Sequence, residues 1–216
     1  MEFIRWDPNF DGNTLTIRNV EGLKIIGKGE QPVRLLVRPR YVFVLNFEHC
    51  KDVEMVNLVM GHAPQEGYCD SGVLGVVDCE RMCIRQCELF GCGTEGLRLV
   101  NVRSFSFEDS VIRDCTYGIL TAKNCAELSF VRTRFTKNRE FWGVSLHDTK
   151  GVVFDGCAFR ENKSEAPLFH VTSCSEVVVT GGEIADNEVK GLTNNSGVVS
   201  FNSVGGVSTT PSTERR

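Results

Sequence analysis

Apolar side chains recur at every second position in short bursts along this chain, and the bursts themselves recur. Segments that open at residues 19, 49, 78, 101, 124, 148 and 173 can be laid over one another, with spacings of 30, 29, 23, 23, 24 and 25 residues. The fifth position of each copy holds Leu23, Val53, Met82, Phe105, Leu128, Val152 and Val177, and the seventh holds Ile25, Met55, Ile84, Phe107, Phe130, Phe154 and Val179. Polar neighbours separate them, and a period of two is strand spacing, with one face buried. The ninth position is turn-like (Gly27, Asn57, Gln86, Asp109, Arg132, Gly156, Gly181), and the twelfth is apolar again (Met60, Leu89, Ile112, Phe135, Phe159, Ile184). A further strand then opens with glycine: Gly72, Gly96, Gly118, Gly143 and Gly197.

Each copy therefore predicts three short strands separated by tight bends. One copy cannot bury its inward face alone. Stacking copies creates a continuous core and pairs each strand with its equivalent in the next coil. Strands paired in the same direction at this spacing make a parallel β-helix of seven to eight coils, a rod roughly 34 Å long at ~4.8 Å per coil. Length varies before the Gly-led strand, over residues 61–71, 93–95, 139–142, 164–167 and 189–196, which reads as a loop cluster along one edge. A helical array needs period 3.6, and a β-sandwich would not keep seven columns in register.

The stretches GYCDSGVLGVVDC (67–79), LFGCGTEGL (89–97) and SVIRDCTYGIL (110–120) resemble the right-handed parallel β-helix repeats of the pectate-lyase-like superfamily, and more narrowly bacterial proteins known only for carrying such repeats. The resemblance implies a right-handed all-β solenoid over residues 1–201; the short apolar runs of 1–18 read as an irregular first coil or cap, and the Ser/Thr/Gly-rich stretch 202–216 as a flexible tail. It also implies a secreted or cell-surface setting, although residues 1–6 lack the basic start and apolar stretch of a signal peptide. It implies little about activity, because this architecture carries lyases, hydrolases, epimerases and inert modules.

Ten cysteines invite a disulfide framework, but their columns argue against one. Cys50, Cys79, Cys125 and Cys174 share one inward column, Cys87 and Cys157 a second, and Cys92 and Cys115 a third that continues as Asn138, Asn162 and Asn187. Stacked side chains run parallel at ~4.8 Å, whereas a disulfide needs converging Cβ atoms near ~3.8 Å. These eight are read as free thiols, and the asparagines as a ladder bonded along the stack. Cys69 falls in a loop. Cys83 points outward, so the spacing Cys79, Cys83, Cys87 cannot converge on a metal.

A net charge of −4 argues against nucleic acid as the main partner, since duplex binders usually show a basic face, and no run of 18 apolar residues offers a membrane span. No cofactor or metal is called for. A groove on the Gly-led sheet is where catalytic relatives of such a rod would work. Near it fall Tyr68, Asp70, Glu95, Arg98, Tyr117, Trp142, Ser145 and His147, in which aromatics beside polar groups suit a sugar ring. His170 aligns with inward Leu146, which predicts a buried histidine. Lyase and glycosidase chemistry needs converging carboxylates; no outward column stacks Asp or Glu, and there is no Asp-Asp pair. The residues favour a non-catalytic module, a rigid rod that binds polysaccharide or protein. The alternative is a carbohydrate-active enzyme, a polysaccharide lyase, glycoside hydrolase or epimerase, with its site along the Gly-led sheet. Oligomeric state is left open.

Overall fold

A computed structural model describes residues 15–38, 41–63, 71–91, 93–139 and 141–206, and the backbone of 209–210. Among them there is no helix. The strands form three long parallel sheets of seven, eight and seven strands, each joining strands from successive coils. The first is the Gly-led sheet, running from Thr16–Arg18 through Glu95–Val100 and Gly118–Lys123 to Phe169–Thr172. The second carries the fifth and seventh positions, from Lys24–Ile26 to Val199–Asn202, and the third the twelfth, from Val33–Val37 to Glu183–Ala185. Beyond Asn202, Gly205 bridges to Glu183 and Thr209–Thr210 pairs with Asn187–Glu188, so the backbone continues along the stack.

The files implied by the repeat are present. Phe107 pairs with Phe130, Phe130 with Phe154, and Phe154 with Val179, all but fully buried. The Phe130 and Phe154 rings stack at 4.8 Å, as do Phe135 and Phe159 at 4.6 Å in the third sheet. Edge contacts such as Phe135 to Phe154 at 6.0 Å tie the files together. Such pairs add to the burial of apolar area that dominates the stability of any core.

The polar files close the corners. Asn138 Nδ2 donates to Asn162 Oδ1 at 3.0 Å, and Asn162 Nδ2 to Asn187 Oδ1 at 2.9 Å. The same oxygens accept from backbone N–H groups one coil earlier: those of Asn138 and Asn162, and, through Asn138 Oδ1, that of Cys115. The ladder thus satisfies backbone groups that a bend would otherwise bury unpaired. The thiol files work in the same way. Cys79 Sγ donates to the Val77 carbonyl and accepts from the Cys50 N–H, and Thr149 Oγ1 takes the same place for Cys125. The described cysteines are free thiols; Cys69 and Cys92 lie outside the described residues.

The corner between the first and second sheets turns on a left-handed residue in every coil. Asn19, His49, Asp78, Asn101, Asn124, Asp148 and Ser173 all have φ between 46° and 56°. Asn and Asp tolerate this region best, which accounts for most of the file. At Gly72, Gly96 and Gly143 the leading glycine has a steric cause. A Cβ on Gly96 would lie 2.3 Å from Ile112 Cγ2, and one on Gly143 would lie 2.2 Å from the Leu168 carbonyl oxygen.

One expectation is corrected. His170 is outward and half-buried, in register with Ser145; Leu146 pairs with Val171. The stretch from Phe159 to Phe169 is one residue longer than its equivalent one coil earlier, from Phe135 to Val144. Leu168 sits at the corner, its carbonyl accepting the Val144 N–H, and the strand begins at Phe169. A slip of one residue sends a side chain to the opposite face.

Candidate functional site

Two outward files run along the first sheet. One is Asn46, Gly75, Arg98, Thr121, Ser145 and His170; the other is Glu48, Val77, Val100, Lys123, His147 and Thr172. The inward positions between them, such as Leu99, Ala122 and Leu146, are buried, which fixes the outward direction of these side chains.

The first half of the strip is self-occupied. Asn46 Oδ1 lies where a Cβ on Gly75 would be. Arg98 lies over the Phe43 ring at 4.8 Å and forms an ion pair with Glu95. Glu95 is buried beneath that contact.

The second half is different. Ser145 Oγ and His147 Nε2 are hydrogen-bonded at 3.0 Å. The His147 and His170 ring centroids are 6.1 Å apart, and His170 meets the edge of Trp142 at 5.7 Å. Trp142 is 48% exposed, so it offers an indole to solvent beside the polar file. Tyr117 stacks on Phe141 at 4.8 Å in the neighbouring loops, whose backbones are also bonded, Trp142 N–H to the Tyr117 carbonyl.

Of the residues singled out from sequence, Ser145 and His147 meet directly, Trp142 joins them only through His170, and Tyr117 borders Trp142. Glu95 and Arg98 form their own pair. Tyr68 and Asp70 lie outside the described residues. Sequence reasoning missed His170 as a member, and the signal that could have found it was the extra loop residue before Phe169. Among the described residues no group of three or more His, Cys, Asp or Glu side chains is arranged to hold a metal, and no helix is long and apolar enough to cross a membrane.

Surface charge elsewhere is organised as inter-coil pairs: Lys24 with Glu54 at 2.8 Å, Asp52 with Arg81 at 2.7 Å and Asp109 with Arg132 at 2.6 Å. The Arg132 guanidinium bonds the Asp109 carboxylate and holds its pKa below the ordinary range. Burial pushes the thiols of Cys79 and Cys87 up to about 11 and that of Cys157 up to about 12, so these groups are unreactive.

The family model described as a right handed beta helix region matches residues 68–208. Among solved structures the chain is similar to a pectin methylesterase from Aspergillus niger, at 11% identity over 89% of this chain and 77% of that one, with a TM-score of 0.49. It is similar to an alginate lyase from Paenibacillus sp. str. FPU-7, at 10% identity over 88% and 85%, TM-score 0.43. A third likeness is to the tailspike protein gp49 from Pseudomonas phage LKA1, at 12% identity over 93% of this chain and 44% of that one, TM-score 0.41. No curated protein matches.

Proposed function

Because this chain belongs to the right-handed β-helix family, we propose that the rod is a non-catalytic glycan-binding module whose binding strip is the second half of the outer first sheet. The observation that carries the reading is the exposed Trp142 indole set against His170, whose file carries Ser145 and Thr121 and whose ring neighbours His147. A sugar presents an apolar ring face edged by hydroxyls, and it binds where an aromatic plate and hydrogen-bonding groups lie together. Files repeating every ~4.8 Å along a rigid sheet offer such groups at successive positions.

The carboxylates support binding over turnover. Glycoside hydrolysis uses two carboxyl groups about 5–9.5 Å apart across the scissile bond. Among the described residues of the two outward files the only carboxylate is Glu48, which is paired with Arg18, and at the sheet's edge Glu95 is buried against Arg98. The Ser145–His147 hydrogen bond favours the second reading, a carbohydrate-active enzyme, because a hydroxyl bonded to an imidazole is the start of a nucleophile and its base.

A glycan array with the purified rod, run beside reducing-sugar and unsaturated-product assays on polysaccharides, tests both. The module reading expects binding that Trp142→Ala removes, with no turnover. Turnover abolished by Ser145→Ala or His147→Ala would establish the enzyme instead.

A further inference from the structure

We propose that His147 and His170 form a two-imidazole site for a divalent transition-metal ion of the zinc, nickel or copper class. Both histidines project from the outer face of the first sheet on adjacent coils. An ion bound to a ring nitrogen at ~2.0–2.1 Å lies about 3.2 Å from that ring's centroid. Two rings on one ion therefore have centroids roughly 5.2 Å apart at a tetrahedral angle and about 6.4 Å apart at a linear one. The observed separation is 6.1 Å, at an interplanar angle of 52°. A tetrahedral ion would draw the two rings together by about 0.9 Å, within reach of small side-chain rotations.

The direction of one ring is also fixed. His147 Nε2 faces Ser145 Oγ at 3.0 Å, and Ser145 is the in-register neighbour of His170. The nitrogen that would bind the ion is thus turned toward the file of the second imidazole. An ion between the rings exchanges the hydroxyl contact for a metal–nitrogen bond and leaves Ser145 Oγ beside it to hold a metal-bound water. Imidazole selects zinc, nickel and copper, whereas calcium and magnesium require oxygen ligands, so the site discriminates between the two classes. Two protein ligands leave the remaining positions to solvent or to a ligand lying on the strip. The site does not depend on glycan binding, and the test contains no glycan.

Trp142 supplies the readout, because its indole lies 5.7 Å from the His170 ring. The chain has two tryptophans, so a Trp6→Phe background leaves Trp142 as the only emitter. Titration with nickel(II) chloride is expected to quench its emission saturably at one ion per chain, with zinc(II) chloride competing. Calorimetry with zinc(II) chloride alone gives the affinity without relying on the indole. Losing a supporting residue around a metal typically costs 10–100-fold in affinity. His147→Gln and His170→Gln, which remove a ligand outright, are each expected to weaken binding about tenfold or more. Both side chains face outward, and unchanged melting curves would show that the variants fold. Absence of saturable binding, or binding that both variants retain undiminished, would overturn the site.

Discussion

Asn162→Ala removes the central rung of the asparagine ladder. The Asn162 side chain is buried and makes four hydrogen bonds: it donates to the Phe135 carbonyl at 2.8 Å and to Asn187 Oδ1 at 2.9 Å, and accepts from Asn138 N–H at 3.2 Å and Asn138 Nδ2 at 3.0 Å. Each is worth about 1 kcal/mol net, and the Asn138 N–H would be left buried without its acceptor. The expected loss is about 4 kcal/mol, a fall in Tm of roughly 8–16 °C for a domain of this size. Urea and thermal denaturation followed by circular dichroism measure it. Coils contact only their neighbours, so hydrogen exchange over residues 134–139 and 158–163 should show whether the rod opens there first. The surface ladder is the control: Asn101 donates to Asp78 at 2.7 Å in an exposed position, and Asn101→Gly keeps the left-handed turn. That change should stay within about 1 kcal/mol. A loss of less than about 1 kcal/mol for Asn162→Ala would refute the claim that the ladder holds the corner.

Phe130→Ala opens a cavity where rings from two sheets meet and should cost about 3–5 kcal/mol in the same denaturation assay. Gly143→Ala should sharply reduce the yield of folded protein, whereas Gly118→Ala should be tolerated, because a Cβ there meets nothing closer than 3.6 Å. Cys157 stays protonated in the fold to about pH 12 but ionises near 9.0 when unfolded, so its contribution is complete below pH 9 and is lost as pH rises through about 12. The pH dependence of stability in that window should be shallower in Cys157→Ser. The Asp109 carboxylate, followed by NMR, should titrate below the ordinary range and move back up in Arg132→Ala.

The rod was legible because period two and period 23–30 are both written in side-chain size. Phe107, Phe130 and Phe154 share a column in the sequence and a file in space. The Asn138, Asn162 and Asn187 ladder was legible for the same reason, since like side chains stacked at strand spacing have each other as partners. The left-handed file of Arg81, Ser104, Glu127 and Glu176 was not, because nothing in the Arg or Glu side chain favours positive φ and the backbone path imposes it. The candidate site was half legible. Trp142, Ser145 and His147 could be placed by their distance from Gly143, but His170 could not, since a single loop residue reverses its face. The burial of Glu95 was likewise hidden, because strand alternation breaks down where Glu95, Gly96 and Leu97 are all buried at the corner.

Spin labels along one outward file of the second sheet test the stacking of coils most directly. Cys83, Ser106, Ser129, Val153, Val178 and Ser200 occupy that file on successive coils. Pulsed dipolar spectroscopy is run on labels at Cys83 paired in turn with cysteines at positions 153, 178 and 200, in a background without other reactive thiols. The account predicts mean distances near 14, 19 and 24 Å, rising by ~4.8 Å per coil. Distances that fail to grow with coil number, or a label at position 200 no farther from Cys83 than one at 153, would contradict it.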